Sequence, residues 1–280
     1  MVQSPESINN AAINNAANRG IDVENSTVLI TGASSGIGYE LARVFAARGH
    51  DLIVTARRED RLAALAEGLP KGCRVHVVPV DLAKAKGPGK LLEALEESGR
   101  RVDVLVNNAG VAASGPFQDM DGKDLRHMLK LNVQALTELT HGLLPGMLER
   151  GRGRILNVAS VASFHGVPGM AAYSASKAFV LSLSESLAED LRGTGVTVTA
   201  LCPGPTRTEM VKDLESLELA GPFLASARDV AEEGDRACMA GEVIRVPGLM
   251  NQALVTWMRY QPRWLVRTAA GMFARSAAQR

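Results

Sequence analysis

From Ser26 onward, short β-branched runs take turns with helical stretches, and this alternation constrains the fold more than any other feature. Strands are expected at 27–31 (TVLIT), 51–56 (DLIVTA), 74–80 (RVHVVPV), 102–107 (VDVLVN), 154–160 (RILNVAS), 196–202 (VTVTALC) and 243–246 (VIRV). Helical periodicity fills the gaps at 36–49, 60–68, 88–99, 121–150, 171–192, 208–219 and 228–240. Parallel strands need crossover connections, and these are almost always right-handed, so repeated strand-helix units predict a sheet covered on both faces. The strands read as continuous apolar runs, as expected when both faces are buried. The reading is an α/β fold, one doubly wound domain over 26–248 with a seven-stranded, mostly parallel sheet. In such sheets ligands bind beyond the carboxyl ends of the strands at the topological switch point, so each candidate site residue is sought just after a strand.

Outside that domain the chain changes character. Residues 1–25 repeat I-N-N-A-A at Ile8 and Ile13 and lack the apolar core of a signal peptide, which reads as a disordered or loosely helical extension. No run approaches the roughly 20 apolar residues of a membrane span. A formal net charge of +1 gives no basic stripe for nucleic acid. Cys73, Cys202 and Cys238 are odd in number and far apart, which fits a reducing cytoplasm and no structural metal.

After the first strand comes TGASSGIG, Thr31 to Gly38, leading into a helix. Gly32, Gly36 and Gly38 permit a tight turn, and the unpaired N–H groups at the helix start favour a pyrophosphate, with Ser34, Ser35 and Ile37 around it. The spacing is G-x-x-x-G-x-G, distinct from both the usual dinucleotide fingerprint and the P-loop. The second strand ends at Ala56-Arg57-Arg58, where a cofactor without a 2′-phosphate meets an acidic residue. Guanidinium pairs with phosphate, so NADP(H) is favoured over NAD(H), through Arg57. Asp81 and Leu82 close the third strand, where an adenine edge is met; an N-cap role explains Asp81 equally well.

The fifth predicted helix carries YSASK, Tyr173 to Lys177. Residues four apart share a helix face. A cation at about 4 Å and an effective dielectric of about 20 favours tyrosinate by about 4 kcal/mol, about three pKa units, while burial opposes this. With three tyrosines and eight lysines, composition alone places such a pair in the chain about one time in twelve.

Taken together, the glycine turn, NNAG at Asn107 to Gly110, LNV around Asn132, Ser160 thirteen residues before Tyr173, YSASK, and PGPTRT at Pro203 to Thr208 resemble the short-chain dehydrogenases/reductases in order and spacing. The resemblance implies a Rossmann-type domain and carbonyl/alcohol interconversion by hydride transfer. It implies Tyr173 as general acid/base, Lys177 on the nicotinamide ribose, Ser160 on the substrate oxygen with Ser163 as its alternative, and Asn132 in a water-linked proton relay. It further implies Asn108, Ala109, Gly110, Pro203, Gly204 and Thr206 along the cofactor, with Asn107 tying strands together. Relatives that favour NADP(H) often carry a basic residue where this chain has Ser35, which leaves the discrimination to Arg57. His165 lies on the intervening loop.

In this family the segment 207–241 would cover the substrate, and Met210, Leu214, Leu217, Leu219, Phe223 and Leu224 suggest a hydrophobic carbonyl or alcohol, although core packing accounts for them nearly as well. Residues 249–280 carry Trp257 and Trp264, several arginines and no acidic residue, as a basic amphipathic helix does. Such a tail packs on its own domain, on another subunit of a homodimer or homotetramer, or on a membrane surface. The competing function is a nucleotide-sensing or scaffold protein without turnover. Its mark would be a lost Tyr or Lys, and both are present.

Overall fold

A computed structural model of the chain describes residues 26–209 and 224–262, together with 265 and 268. The N-terminal extension, the helix expected at 208–219 beyond Glu209, five of the six proposed cover residues and Trp264 lie outside the described residues.

Seven strands form one parallel sheet: β1 (Thr27–Thr31), β2 (Asp51–Thr55), β3 (Val75–Val77), β4 (Val104–Asn107), β5 (Gly153–Val158), β6 (Val196–Leu201) and β9 (Ile244–Arg245). Their order is β3-β2-β1-β4-β5-β6-β9, so the chain reverses direction across the sheet between β1 and β4. That reversal is the switch point, and Leu29 pairs there with Leu105. Along β1 the side chains divide between two cores. Val28 and Ile30 pack with helices α1 (Gly36–Ala47), α2 (Glu59–Glu67) and α7 (Ala227–Ala240). Leu29 packs on the opposite face with α3 (Gly87–Glu97) and α5 (Leu136–Glu149). Both faces are dry, which is why the strand sequences show no alternation.

Three elements depart from the expected ones. β3 is three residues long, although Val78 and Val80 still donate to Val54 and Ala56; between them Pro79, which has no N–H, turns that position to the open edge of the sheet. The helix expected over 121–150 runs without interruption, but as α4 (Gly122–Leu129), a π-helical turn (Lys130–Ala135) and α5 in succession. The two-residue strands β7 (Thr206–Arg207) and β8 (Ala225–Ser226) pair as a separate ribbon that no periodicity announced.

The C-terminal helix α8 (Leu249–Tyr260) lies against its own domain. Asn251 and Val255 are buried, and the Arg259 guanidinium sits 5.1 Å from the centre of the Phe164 ring. Its other face exposes Leu249, Met250, Trp257 and Tyr260. Among the described residues no helix is long and apolar enough to cross a membrane.

Candidate active site

The end of β1 and the end of β4 are joined by a small polar network. The Thr31 hydroxyl donates to the Val106 carbonyl and accepts from the backbone N–H groups of Asn108 and Ala109, both at 3.0 Å. The Asn108 amide donates to the Thr31 carbonyl at 2.9 Å. Asn108 thus braces the switch point from the side chain and offers the site its backbone. Its neighbour Asn107 is buried and donates to Thr140 and Asn157, tying β4 to α5 and β5. Gly38 is the packing consequence: a Cβ there would fall 2.3 Å from the Asn108 amide nitrogen and 2.5 Å from the Gly32 carbonyl oxygen. Gly32 has φ +68°, where a side chain is strained in any case.

At the head of α1 the helix start is left open. Ser35 occupies the N-cap position without a side-chain cap, and no acidic residue stands in the first turn. The guanidinium of Arg58 donates instead to both Ser34 and Ser35, at 3.1 and 3.0 Å. The predicted Arg57 is exposed. Of the two arginines ending β2, the second faces the glycine turn, because the chain turns as it leaves the strand and carries residue 57 outward. A cation and two hydroxyls beside an uncapped helix start are a donor set that suits phosphate. The Asp81 carboxylate accepts from the Ala83 N–H at 3.0 Å and closes a local turn; it caps no helix, since α3 starts six residues later. Leu82 is buried in the core.

On the other side of the switch point, α6 (Ala171–Asp190) presents Tyr173 and Lys177 on one face, with the Lys177 ammonium 6.0 Å from the centre of the Tyr173 ring. Lys177 is buried and donates to the Val158 carbonyl at 2.7 Å. Burial lowers its pKa to about 8, partly offset by Cys202, whose own buried thiol is pushed up to about 12. Tyr173 moves upward from the ordinary phenol value, because desolvation outweighs the hydrogen bond from Ser160. The expected fall of the phenol toward neutrality is therefore absent from the protein on its own: burial, which opposes ionisation, prevails.

Ser160 forms the N-cap of a 3-10 turn, Val161–Ser163. Its oxygen accepts from the Ala162 N–H at 3.1 Å, while the Ser163 hydroxyl accepts from the Ser160 N–H at 3.2 Å. This reciprocal box fixes the Ser160 rotamer and leaves its hydrogen for another acceptor. Ser163 accepts one bond in the same way and likewise keeps its hydroxyl hydrogen; what distinguishes Ser160 is its hydrogen bond to Tyr173.

Asn132 sits in the π-helical turn, buried, with both side-chain atoms engaged. Its oxygen accepts from the Val111 N–H, and its amide donates to the Val111 carbonyl and to Ser176. The Ser176 hydroxyl in turn donates to the Tyr173 carbonyl at 2.7 Å. Gly110 closes the ring: a Cβ there would meet Asn132 Oδ1 at 3.2 Å and Lys177 Nζ at 3.5 Å. Ser160, Tyr173, Lys177, Asn132 and Gly110 thus converge beyond the ends of β4 and β5. Ser176 carries no motif signal beyond its place one residue before Lys177, and Cys202, legible in the sequence only as an unpaired cysteine, lies beside the ammonium.

The PGPT turn after β6 flanks the same region. The Pro203 carbonyl accepts from Val161, and the Thr206 hydroxyl donates to the Gly204 carbonyl. Gly204 lacks a side chain because Asn251 of α8 lies there, 2.5 Å from where its Cβ would be. Leu224, on the described edge of the expected cover, is half-buried. Among the described residues there is no His/Cys/Asp/Glu group that would hold a metal.

Comparison with known proteins agrees with this geometry. The family model for short chain dehydrogenase matches residues 26–218. Sulfoacetaldehyde reductase 2 of Chromohalobacter salexigens is 47% identical over 184 residues, 65% of this chain and 73% of that protein. A short-chain dehydrogenase from Sphingobium yanoikuyae, solved in complex with NADPH, aligns with a TM-score of 0.74 at 34% identity, covering 85% of this chain and 97% of that one. A bulky-bulky ketone specific alcohol dehydrogenase from Comamonas testosteroni aligns with a TM-score of 0.72 at 31% identity, over 85% and 95%. The chain belongs to the short-chain dehydrogenases/reductases and is an NAD(P)-dependent oxidoreductase working between carbonyl and alcohol.

Proposed function

We propose that the protein is an NADP(H)-dependent reductase/dehydrogenase of a secondary alcohol and its carbonyl, with Tyr173 as general acid/base. The observation that carries this reading is the convergence of a serine hydroxyl hydrogen-bonded to a phenol and a buried ammonium beyond β4 and β5.

The nicotinamide cofactor supplies the hydride; the chain supplies what the oxygen needs. As negative charge gathers on a carbonyl oxygen, Ser160 donates the one hydrogen that the capping box leaves it. Tyr173, held protonated at neutral pH by burial, donates its proton. Lys177, charged below about pH 8, is the cation placed on the same helix face to stabilise the phenolate that remains. Asn132 holds the segment after β4 at Val111 and, through Ser176, ties it to α6 beside Tyr173. Arg58, Ser34 and Ser35 are the residues suited to a 2′-phosphate, with Gly32, Gly36, Ile37 and Gly38 at the pyrophosphate.

The test is oxidation of NADPH against a panel that includes small anionic aldehydes, such as the substrate for which the Chromohalobacter relative is named, and bulky ketones. Tyr173→Phe keeps nucleotide affinity within about twofold and lowers kcat by about a hundredfold or more for whichever substrate is turned over. Equal turnover in Tyr173→Phe would refute the acid/base role. Tight NADPH binding without consumption across the panel would favour a sensing protein.

A further inference from the structure

The 2′-phosphate candidate site already contains an anion from the chain itself. Glu209, two residues beyond β7, reaches back to the arginines at the start of α2: its carboxylate accepts from Arg58 Nη1 at 3.1 Å and from Arg61 Nη1 at 2.5 Å. Arg58 simultaneously donates its other terminal nitrogen to Ser34 and Ser35. One residue earlier, Thr208 lies over the glycine turn, where a Cβ on Gly36 would meet its methyl at 3.0 Å. The stretch that ends in Glu209 therefore crosses the head of α1 and places a carboxylate between two guanidinium groups. Hydrogen bonds from Arg61 and then Arg58 hold that carboxylate down to about 2, so it is ionised at any working pH.

We propose that Glu209 is an internal stand-in for the cofactor's 2′-phosphate: it occupies the Arg58/Arg61 anion site in the absence of nucleotide, must leave when a 2′-phosphate arrives, and stays when an unphosphorylated cofactor binds. Glu209 thereby sets the balance between the two cofactors. A carboxylate and a phosphate are both oxyanions that guanidinium grips in the same fork, and the two cannot share it. With Glu209 in place one of the two guanidinium charges is offset and both groups are already engaged, so an adenosine ribose bearing only hydroxyls binds without displacing anything. A 2′-phosphate gains the arginines only after breaking two ion pairs. All three side chains are about two-fifths exposed, so each pair is weak and the exchange is easily reversed. The inference rests on the NADP(H) reading and refines it.

Binding of adenosine 2′,5′-bisphosphate and of 5′-AMP, measured by calorimetry on the full chain, separates the possibilities; affinities for NADPH and NADH from nucleotide fluorescence supplement them. Glu209→Gln keeps the shape and removes the charge. It should tighten adenosine 2′,5′-bisphosphate by about threefold to thirtyfold, the range spanned by two partly exposed ion pairs, and leave 5′-AMP within about twofold. Arg58→Ala should weaken the bisphosphate selectively, and Arg57→Ala should not. If Arg58→Ala is selective but Glu209→Gln leaves the bisphosphate unchanged or weakens it, Glu209 merely positions Arg58 and the stand-in role is refuted, while the phosphate site stands. If neither Arg58→Ala nor Arg61→Ala discriminates between the two ligands, the phosphate site itself is wrong and the inference goes with it.

Discussion

Lys177 carries a charge at a cost to the fold, and that cost is measurable. Its pKa falls from 10.5 to about 8, chiefly through burial, which corresponds to about 3 kcal/mol of destabilisation at neutral pH relative to a solvated lysine. Because the folded value lies below the unfolded one, the unfolded chain binds more protons between pH 8 and 10.5, and this contribution makes stability rise with pH there. Lys177→Met keeps most of the side-chain volume and removes the charge. Deleting the ammonium recovers about 3 kcal/mol, but leaves the Val158 carbonyl without its donor at about 1–3 kcal/mol, so the net change at pH 7 is between neutral and about 2 kcal/mol more stable. The pH dependence is cleaner: with values of 10.5 and about 8, stability of the unmutated protein relative to Lys177→Met should rise by about 1.3 kcal/mol from pH 7 to 9. The thiols of Cys202 and Cys238, pushed up to about 12 in the fold, are half ionised at pH 9.0 when unfolded, but both proteins carry them and they drop out of the difference. Urea unfolding at several pH values reads the difference, and NADPH oxidation should fall by about a hundredfold in the same variant. A Lys177→Met protein that is less stable by more than about 2 kcal/mol, with a flat pH difference, would show that the ammonium is well solvated or fully paired, and the reasoning would fail.

Two further outcomes follow from the packing. Gly38→Ala forces a methyl onto the Asn108 amide and the Gly32 carbonyl, and should cost about 1–3 kcal/mol, lowering Tm by roughly 2–4 °C per kcal/mol; NADPH and NADH should weaken together, because the turn moves and the arginines do not. Gly89→Ala, where a Cβ meets nothing within 4 Å, is the control and should be neutral or slightly stabilising. His50 is buried against Phe45 with neither ring nitrogen hydrogen-bonded among the described residues, and burial followed by the charge of Arg48 lowers its pKa below 6.5. Its neutral form is the folded one, so its contribution is lost as pH falls below 6.5, and His50→Leu should gain on the unmutated protein progressively from pH 6.5 downward. Asp235, raised to about 6 mainly by burial, acts in the opposite sense over pH 3.8 to 6, so the comparison must be made as a difference between the two proteins; a constant difference across that range would contradict the assignment to His50.

What could be read from the chain was what depends on period and spacing. Alternating runs gave the parallel sheet because burial on both faces leaves only one composition for such strands, and an interval of four placed Tyr173 and Lys177 on one face of α6. What could not be read depends on direction at a chain reversal. Arg57 and Arg58 are equivalent as sequence, yet only the latter turns back to Ser34 and Ser35, because the coil leaving β2 decides which side chain faces the turn. The π-helical turn at Lys130–Ala135 was hidden inside a continuous helical pattern; its one trace was Asn132, a poor helix former at a position that solvation alone would not explain.

The Tyr173–Lys177 pair exposes the deeper limit. Spacing predicts that the two groups meet, but the sign of what they do to each other depends on depth. Burial opposes charge on both partners, raising the phenol and lowering the ammonium, so each is driven toward its neutral form before any ligand is present. A lysine at about 8 still carries its proton at neutral pH, and a phenol held above its usual value keeps its own, which is the pairing that a carbonyl reduction requires: an acid ready to give a proton and a cation ready to stabilise what remains. The reverse reaction needs a phenolate, and in that direction the same burial works against the enzyme. With Tyr173 in the proposed acid/base role, alcohol oxidation is expected to rise toward alkaline pH, where the phenol ionises more readily, and a pH profile of the oxidation that is flat from about pH 7 to 10 would contradict that role.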